Sequence, residues 1–566
     1  METAAAAITA PKKQNSKKRQ RTNPLAAARG NAKQADALWH RKTGAGLALF
    51  VEYYATQPAE VVGLSDSSCS DASVKAASSG ATTMTTTTTT GAGAGLSRAA
   101  KRRRKKKNGN AAEPLLTTQN TTRITPTTTT NASTTSRLLS ALKDSTTVTA
   151  QQKQSITPFL THLSQPLPLT FRLRQNRSAQ QTMQLQQQIA TDFKDLVQPL
   201  PFGGGFIYQA IHASLYKASL SQTCPALKTF LVEQTATACI ARQELGSMLP
   251  VTLLVAGGWL ASASRVLDLC ASPGSKTLQA LEIVAATTTG TTTTSTTNSG
   301  GRVKANDVNA ARLETLRQAV SRSGMAASLT DRIKYTCQDA SQFPVPVASK
   351  HLYDAVLCDV PCSGDGTVRK DKHILPAWTP GVSHALHSLQ VRLLVRAIQC
   401  LRPGGVVSYS TCSLNPVEDE AVVAAAVRLL LKQQRKAASS GQHNGPCVEL
   451  LQCPDLPGFV ARPGVQEWKI ADYVIGNKRQ PLIIDIDEGD DKSNLQEQDN
   501  LQDETARLTW YDCFETATAA KMEHAVASMW PVAGSSEMVP LERCVRLWPQ
   551  EYDSGGFFVA LLRKNW

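Results

Sequence analysis

Between Arg265 and the carboxyl end, the spacing of apolar positions changes repeatedly. Short β-rich runs, RVLDLC (Arg265 to Cys270), RVKAND (Arg302 to Asp307), IKYTCQD (Ile333 to Asp339), YDAVLCD (Tyr353 to Asp359) and GGVVSYS (Gly404 to Ser410), are mostly separated by segments of helical spacing such as NAARLETLRQAV and HSLQVRLLVRAIQCL. That alternation predicts a parallel sheet wrapped on both faces, a doubly wound α/β architecture. GGFFVALL predicts a last strand. Two polar stretches, Thr287 to Gly300 and the acidic Asp485 to Glu504, read as surface insertions in this pattern.

Upstream the pattern is weaker. In LWHRKTGAGLALFVEYYATQ the apolar positions Leu47, Phe50, Tyr53 and Tyr54 suit one short amphipathic helix. Residues 57–155 hold Ser/Thr/Gly/Ala tracts, the run Thr85 to Thr90 and the block Lys101 to Lys107, with no core-forming period, and read as a low-complexity insertion. Order is expected to resume at residue 156. There Leu167, Leu169, Phe171 and Leu173 alternate with Pro168, Thr170, Arg172 and Arg174, as in a half-buried strand with a basic outer face. The expected division is a basic disordered tail (1–36), a helical segment belonging to an amino-terminal module (37–56), the insertion (57–155), a small α/β module (156–250) and the main sheet domain (251–566).

Charge sharpens this division. Residues 1–107 carry 19 Lys and Arg against 6 Asp and Glu, so most of the net +16 lies in this part and the rest is nearly neutral. Two basic clusters, from Lys12 to Arg21 and from Lys101 to Lys107, point to nuclear import or a nucleic-acid tether, and the expected location is the nucleus. The first residues lack the apolar run of a secretory leader, and LPVTLLVAGGWLASAS is too short and too interrupted to span a bilayer. The thirteen cysteines form no CxxC pair and no paired Cys/His zinc spacing, so they read as reduced thiols with no metal site.

Ligands of doubly wound sheets sit at the carboxyl ends of the strands. After the first strand comes LCASPGSKT, a tight turn at Pro273 and Gly274 that is neither GxGxxG nor a P-loop. Asp307, Asp339 and Asp359 end the next strands in order. An acid ending the second strand can accept both hydroxyls of a ribose, whereas a single such Asp often only caps a helix. Three acids beside a loop without a phosphate cradle suggest adenosine without phosphates, as in S-adenosylmethionine.

Two cysteines share one kind of setting. Cys362 in DVPCSGDGT and Cys412 in SYSTCSLNPVEDEA each follow a strand's carboxyl end, whereas Cys358 and Cys400 lie inside apolar runs and read as buried. Asn415, Pro416 and Glu418 make a good helix start, placing Cys412 near a positive dipole end that favours thiolate. Carbon 5 of cytosine is too poor a nucleophile to attack a methylsulfonium. A thiolate added at carbon 6 makes it reactive, and a second thiol can assist release of the product. Position alone leaves open which cysteine attacks.

LDLCASPGSKT, DVPCSGDGT and YSTCSLNPVEDEAVV, in this order, resemble the RsmB/NOP/Sun family of RNA cytosine-5 methyltransferases. IARQELGSMLP, DGTVRKD, LPGFVARPGVQEWK and CVRLWPQEYDSGGFFVALL look like its eukaryotic tRNA-modifying branch. The likeness runs from about residue 156 to the end and includes LFVEYY. It implies a Rossmann-like class I methyltransferase sheet preceded by a smaller RNA-binding module. It implies Cys412 as nucleophile and Cys362 as the thiol assisting release; DNA cytosine methyltransferases attack with a PC thiol instead, so these roles rest on the family. It further implies S-adenosylmethionine contacts from Cys270, Ala271, Ser272, Pro273, Gly274, Ser275 and Lys276, then Asp307, Asp339 and Asp359. Asp359 has a second reading, accepting from the exocyclic amine of cytosine. The expected substrate is tRNA. A ribosomal RNA methyltransferase and a noncatalytic RNA-binding assembly factor of the same fold are the alternatives. Oligomeric state is left open. The insertion after the first helix, the Thr-rich loop and the short carboxyl end depart from the family pattern and bear on substrate range.

Overall fold

The computed structural model describes residues 46–63, 132–175, 177–212, 214–285, 301–437, 447–475, 506–531 and 539–565. The basic tail, the Lys101 to Lys107 block, the Thr-rich loop and the acidic stretch from Asp485 lie outside the described residues. The described residues 46–63 and those from 133 onward fall in one compact unit, which holds every described strand.

The five strand runs read from the sequence form β5 (Arg265–Asp268), β6 (Arg302–Asn306), β7 (Ile333–Thr336), β8 (Tyr353–Asp359) and β9 (Leu401–Thr411). They pair in parallel in the spatial order β9-β8-β5-β6-β7. Between them run α7 (Ser275–Val284), α8 (Ala310–Ser321) and α9 (Pro380–Cys400), with α10 (Glu420–Ala437) after β9. Successive strand residues enter opposite cores: Leu267, Val356 and Cys358 pack in one cluster, Val266, Ala355 and Leu357 in the other. Burial on both faces is why these runs are apolar at nearly every position. From β5 the chain builds outward through β6 and β7, then crosses to β8 and β9, so the order reverses between β5 and β8. In such sheets that point is where ligands bind.

The last strand departs from the parallel pattern. β14 (Val545–Leu547) and β15 (Phe557–Lys564) are antiparallel to each other, and β15 runs antiparallel along β9, pairing Phe558 with Thr411. The connection from β14 to β15 is too short for a parallel crossover, which sets the direction of that pair. Two short strands, β10 (Val448–Leu450) and β11 (Arg462–Pro463), extend the sheet, and β12 (Ile470–Ile475) with β13 (Ala506–Tyr511) form a separate ribbon. Among the described residues no helix is long and apolar enough to cross a membrane.

The small module is a four-stranded sheet ordered β2-β3-β1-β4, from β1 (Thr170–Leu173), β2 (Val197–Pro199), β3 (Ile207–Ala210) and β4 (Ile240–Arg242), with α4 (Ala179–Asp192) and α5 (Pro225–Ala236). The expected basic outer face of β1 is overturned. Arg172 and Arg174 are buried, and both guanidinium groups bind Glu282 of α7, Arg174 at 3.1 Å; Arg172 Nε also donates to Gln243 at 2.9 Å. β1 is an interior strand whose second face lies against the large domain, so its arginines hold the two sheets together. A buried charge needs such a partner.

Three boundaries also shift. Helix α2 (Ala132–Asp144) and the start of α3 (Ala150–Ser164) occupy sequence read as insertion, and Leu138, Leu142 and Val148 are buried. Helix α6 (Leu245–Ala256) packs in the large domain's core although it begins before residue 251. The predicted first helix, α1 (Gly46–Thr56), forms with a wide buried face: only Leu47, Ala48, Glu52 and Thr56, along one side, are not fully buried. It packs with Phe159, Trp378, Leu414 and Trp548, against the large domain and not in the small module.

Candidate active site

At the carboxyl ends of the adjacent strands β8 and β9, Cys362 Sγ and Cys412 Sγ lie 3.4 Å apart, both half-buried. The predicted pair is therefore one site. The thiol contact with Cys412, and then burial, push the Cys362 thiol well above its ordinary range. Cys358 and Cys400 are buried as expected, and burial pushes both thiols up.

The strand ends bearing these thiols rest on buried polar groups. Asp365 Oδ1 accepts from Leu414 N at 2.8 Å, while the hydroxyl of Tyr54 on α1 donates to its Oδ2. Tyr53 donates to Asn415 at 3.1 Å. Thr411 donates to Asp419 at 2.6 Å, and Gly366 N donates to the carbonyl of Cys412 at 3.0 Å. Burial raises the carboxyls of Asp365, Glu418 and Asp419, that of Asp419 against the pull of Arg546. The helix expected after Asn415 begins only at Glu420; residues up to Asp419 form a turn. Cys412 is thus not at a helix end, and the groups nearest its loop are chiefly acids. The sequence contained Asp365 and Glu418 inside the cysteine motifs, but without a pattern separating them from surface charge. Tyr53 and Tyr54 read simply as apolar.

The loop after β5 turns at Pro273 and Gly274. Gly274 has φ +107°, so the turn requires glycine, and a Cβ there would stand 2.1 Å from Leu316 Cδ1 and displace that side chain. Ser272 N donates to Asp307 Oδ2 at 3.3 Å, and Asn309 N to Asp307 Oδ1 at 3.0 Å. Asn306, not foreseen, stitches three strand ends: its side chain donates to the carbonyls of Leu269 and Gln338, each at 3.0 Å. Asp339 accepts from Ser341 N at 2.9 Å and caps a short 3₁₀ turn. Lys276 pairs with Asp359 at 2.7 Å, and Ser410 donates to the same carboxylate at 2.7 Å. Cys270 and Ala271 pack within the two cores, and burial raises the Cys270 thiol.

This set fits a nucleoside ligand without phosphates. It offers carboxylate acceptors for hydroxyls, while the loop's lysine is already neutralised by Asp359. A cavity of about 270 Å³ elsewhere, between the small sheet and α6 and α7, is lined by Arg172, Phe206, Gln279 and Glu282 and includes neither cysteine. Among the described residues no group of three or more His, Cys, Asp or Glu is arranged to hold a metal ion.

Two results are expected from this packing. Tyr54→Phe should lower stability by about 1–3 kcal/mol, the scale of a buried hydrogen bond to a carboxyl group, read by urea unfolding. Burial pushes the Asp268 carboxyl, which accepts from Thr277 at 2.6 Å, up to about 7. Its contribution to stability is thus full below the unfolded value near 4 and falls as pH rises to about 7. Asp268→Asn should therefore gain on wild type, by on the order of 2 kcal/mol, between pH 5 and pH 8. Urea midpoints at the two pH values check this.

A doubly wound parallel sheet whose switch point adjoins a dithiol at the next strand ends defines a Rossmann-like α/β fold. The resemblance to the RsmB/NOP/Sun family extends to a family model: residues 260–446 match the one described as 16S rRNA methyltransferase RsmB/F. A tRNA (cytosine(34)-C(5))-methyltransferase of Drosophila melanogaster is 30% identical over 435 residues, covering 72% of this chain and 50% of that protein. The multisite-specific tRNA:(cytosine-C(5))-methyltransferase trm4b of Schizosaccharomyces pombe is 30% identical over 441 residues, 72% of this chain and 56% of that protein. The chain thus spans about half the length of these curated relatives. A solved methyltransferase homolog protein from Pyrococcus horikoshii is similar at 19% identity and a TM-score of 0.43, over 73% of this chain and 91% of that one.

Proposed function

We propose that this chain methylates carbon 5 of cytosine in RNA, with tRNA as substrate and S-adenosylmethionine as methyl donor. The observation that carries the reading is the 3.4 Å separation of two thiols at adjacent strand ends beside the switch point. The loop from Cys270 to Lys276, with Asp307 and Asp339, would hold the donor, which when bound supplies an electrophilic methyl group on a sulfonium. Asp359 is already held by Lys276 and Ser410, and either reading of it, donor contact or cytosine edge, requires sharing that carboxylate.

Cys412 as thiolate adds to carbon 6 of the cytosine, and the electron pair displaced from the double bond gives carbon 5 its nucleophilic character. Carbon 5 takes the methyl group and then loses its hydrogen as a proton to a base. The electrons of that C–H bond restore the double bond as the Cys412 sulfur leaves carbon 6. Cys362, in contact with that sulfur and held as a thiol, assists this departure. The base has to be unstacked to expose its ring face to the sulfur. The small sheet is the proposed RNA-binding module. The clusters from Lys12 and from Lys101 support nuclear residence.

The RsmB/F description favours ribosomal RNA as the second reading. Purified full-length chain incubated with labelled methyl donor and separate tRNA and rRNA pools separates the two. Label in 5-methylcytosine of tRNA is the expected result, label in rRNA alone selects the second reading, and label in neither leaves the noncatalytic assembly factor.

A further inference from the structure

The residues flanking both cysteines converge on one buried acid. On the Cys362 side, Ser363 N donates to Glu418 Oε2 at 2.8 Å and the Ser363 hydroxyl donates to Oε1. Gln390 Nε2 stands 2.9 Å from the carbonyl of Pro361 and 2.9 Å from Glu418 Oε2. On the Cys412 side, Ser413 Oγ lies 2.8 Å from Glu418 Oε1 and 3.2 Å from Ser363 Oγ. Ser383 of α9 donates to Oε1 at 2.8 Å. Glu418 is fully buried, and these partners are neutral donors. Burying a carboxyl group on such partners is costly, and a packed apolar residue would fill the space more cheaply. What an apolar residue lacks is two oxygens in one rigid plane that together span both loops.

The two loops do not depend on Glu418 equally. The Cys412 loop has anchors of its own: Leu414 N on Asp365, Thr411 on Asp419, and the Leu414 carbonyl on Arg546 at 2.9 Å. Around Cys362, Ser363 is held by Glu418 through both its amide and its hydroxyl, and Pro361 by the Gln390 amide that Glu418 also engages. We infer that Glu418 is the positioning residue that sets the Cys362 thiol against Cys412, so that its loss falls on release of the methylated RNA and spares attachment. The release half of this inference rests on the proposed function; the spacing half does not. A displacement near 1 Å at a reacting group costs on the order of 100-fold, which sets the scale of the effect.

Phenylarsine oxide reads the spacing without RNA, because two nearby thiols replace its oxygen, which leaves as water. Wild type should bind one equivalent that Cys362→Ala loses, and Glu418→Gln should bind about tenfold more weakly or worse. In single turnover with RNA, Glu418→Gln should form the covalent adduct within about threefold of the wild-type rate and release it at least about tenfold more slowly. It should add nothing further in a Cys362→Ala background. Melting by circular dichroism checks folding; should Glu418→Gln fail to fold, Ser363→Ala carries the test, with a smaller shift in the same direction. Wild-type arsenical binding by Glu418→Gln overturns the inference, as does equal slowing of attachment and release. Weakened arsenical binding with no RNA adduct in any variant, wild type included, overturns the proposed function and upholds the spacing role.

Discussion

Cys412→Ala is expected to lose methyl transfer by roughly 10³-fold or more and to form no covalent RNA adduct, because no sulfur then stands ready to activate carbon 5. Cys362→Ala should behave in the opposite way. It keeps the attacking sulfur and the cofactor loop, so the adduct forms, but departure of sulfur from carbon 6 slows and the protein accumulates as a slower-migrating band joined to RNA. The two effects separate because each thiol serves a different bond change, although only 3.4 Å divides them. Denaturing gels with labelled RNA, alongside turnover with labelled methyl donor, check both. Wild-type turnover by Cys412→Ala would remove it as nucleophile. A trapped adduct in Cys412→Ala with none in Cys362→Ala would exchange the roles.

Arg546→Met should cost about 3–5 kcal/mol of folding stability, the range for breaking a buried ion pair by removing one partner. Arg546 is fully buried; it donates to Glu420 Oε1 at 2.6 Å and stands 3.6 Å from Asp419. Burial alone would pull its charge off, but the Glu420 and Asp419 carboxylates outweigh this and hold it protonated. Methionine would fill much of the volume between Trp548 and Phe558, whose rings the guanidinium overlies at 5.3 and 5.7 Å. It would leave the acids without a cation. Because Asp419 also holds Thr411, next to Cys412, the loss should reach the site. Urea unfolding measures the cost, and adding Glu420→Gln should restore part of it. No change on Arg546→Met would show that the acids are neutral in the fold.

The parallel strands were legible because a strand buried on both faces must be apolar at nearly every residue, a constraint local to each run. Cys362 and Cys412 were legible for a related reason. Strand ends in a doubly wound sheet gather at one edge, so two thiols following two strands were candidates for one site from their positions in the chain. Arg172 and Arg174 misled because an alternating strand shows which residues share a face, not whether that face meets water or Glu282. Tyr53 and Tyr54 were invisible as site residues. Their hydroxyls reach Asn415 and Asp365 across more than three hundred positions of chain, and nothing in an apolar run marks where a phenol points. Asn415, Pro416 and Glu418 looked like a helix start, and Asp419 and Glu420 carried no signal of their own. Only the packed structure buries these three acids, gives them Arg546 and the serines, and makes them the floor beneath the thiols. The sequence by itself thus determined the sheet, the order of its strands along the chain and the pair of sulfurs. The tertiary structure alone decided their spacing and support, because a contact between distant segments is specified by the sum of many burials and not by any local pattern.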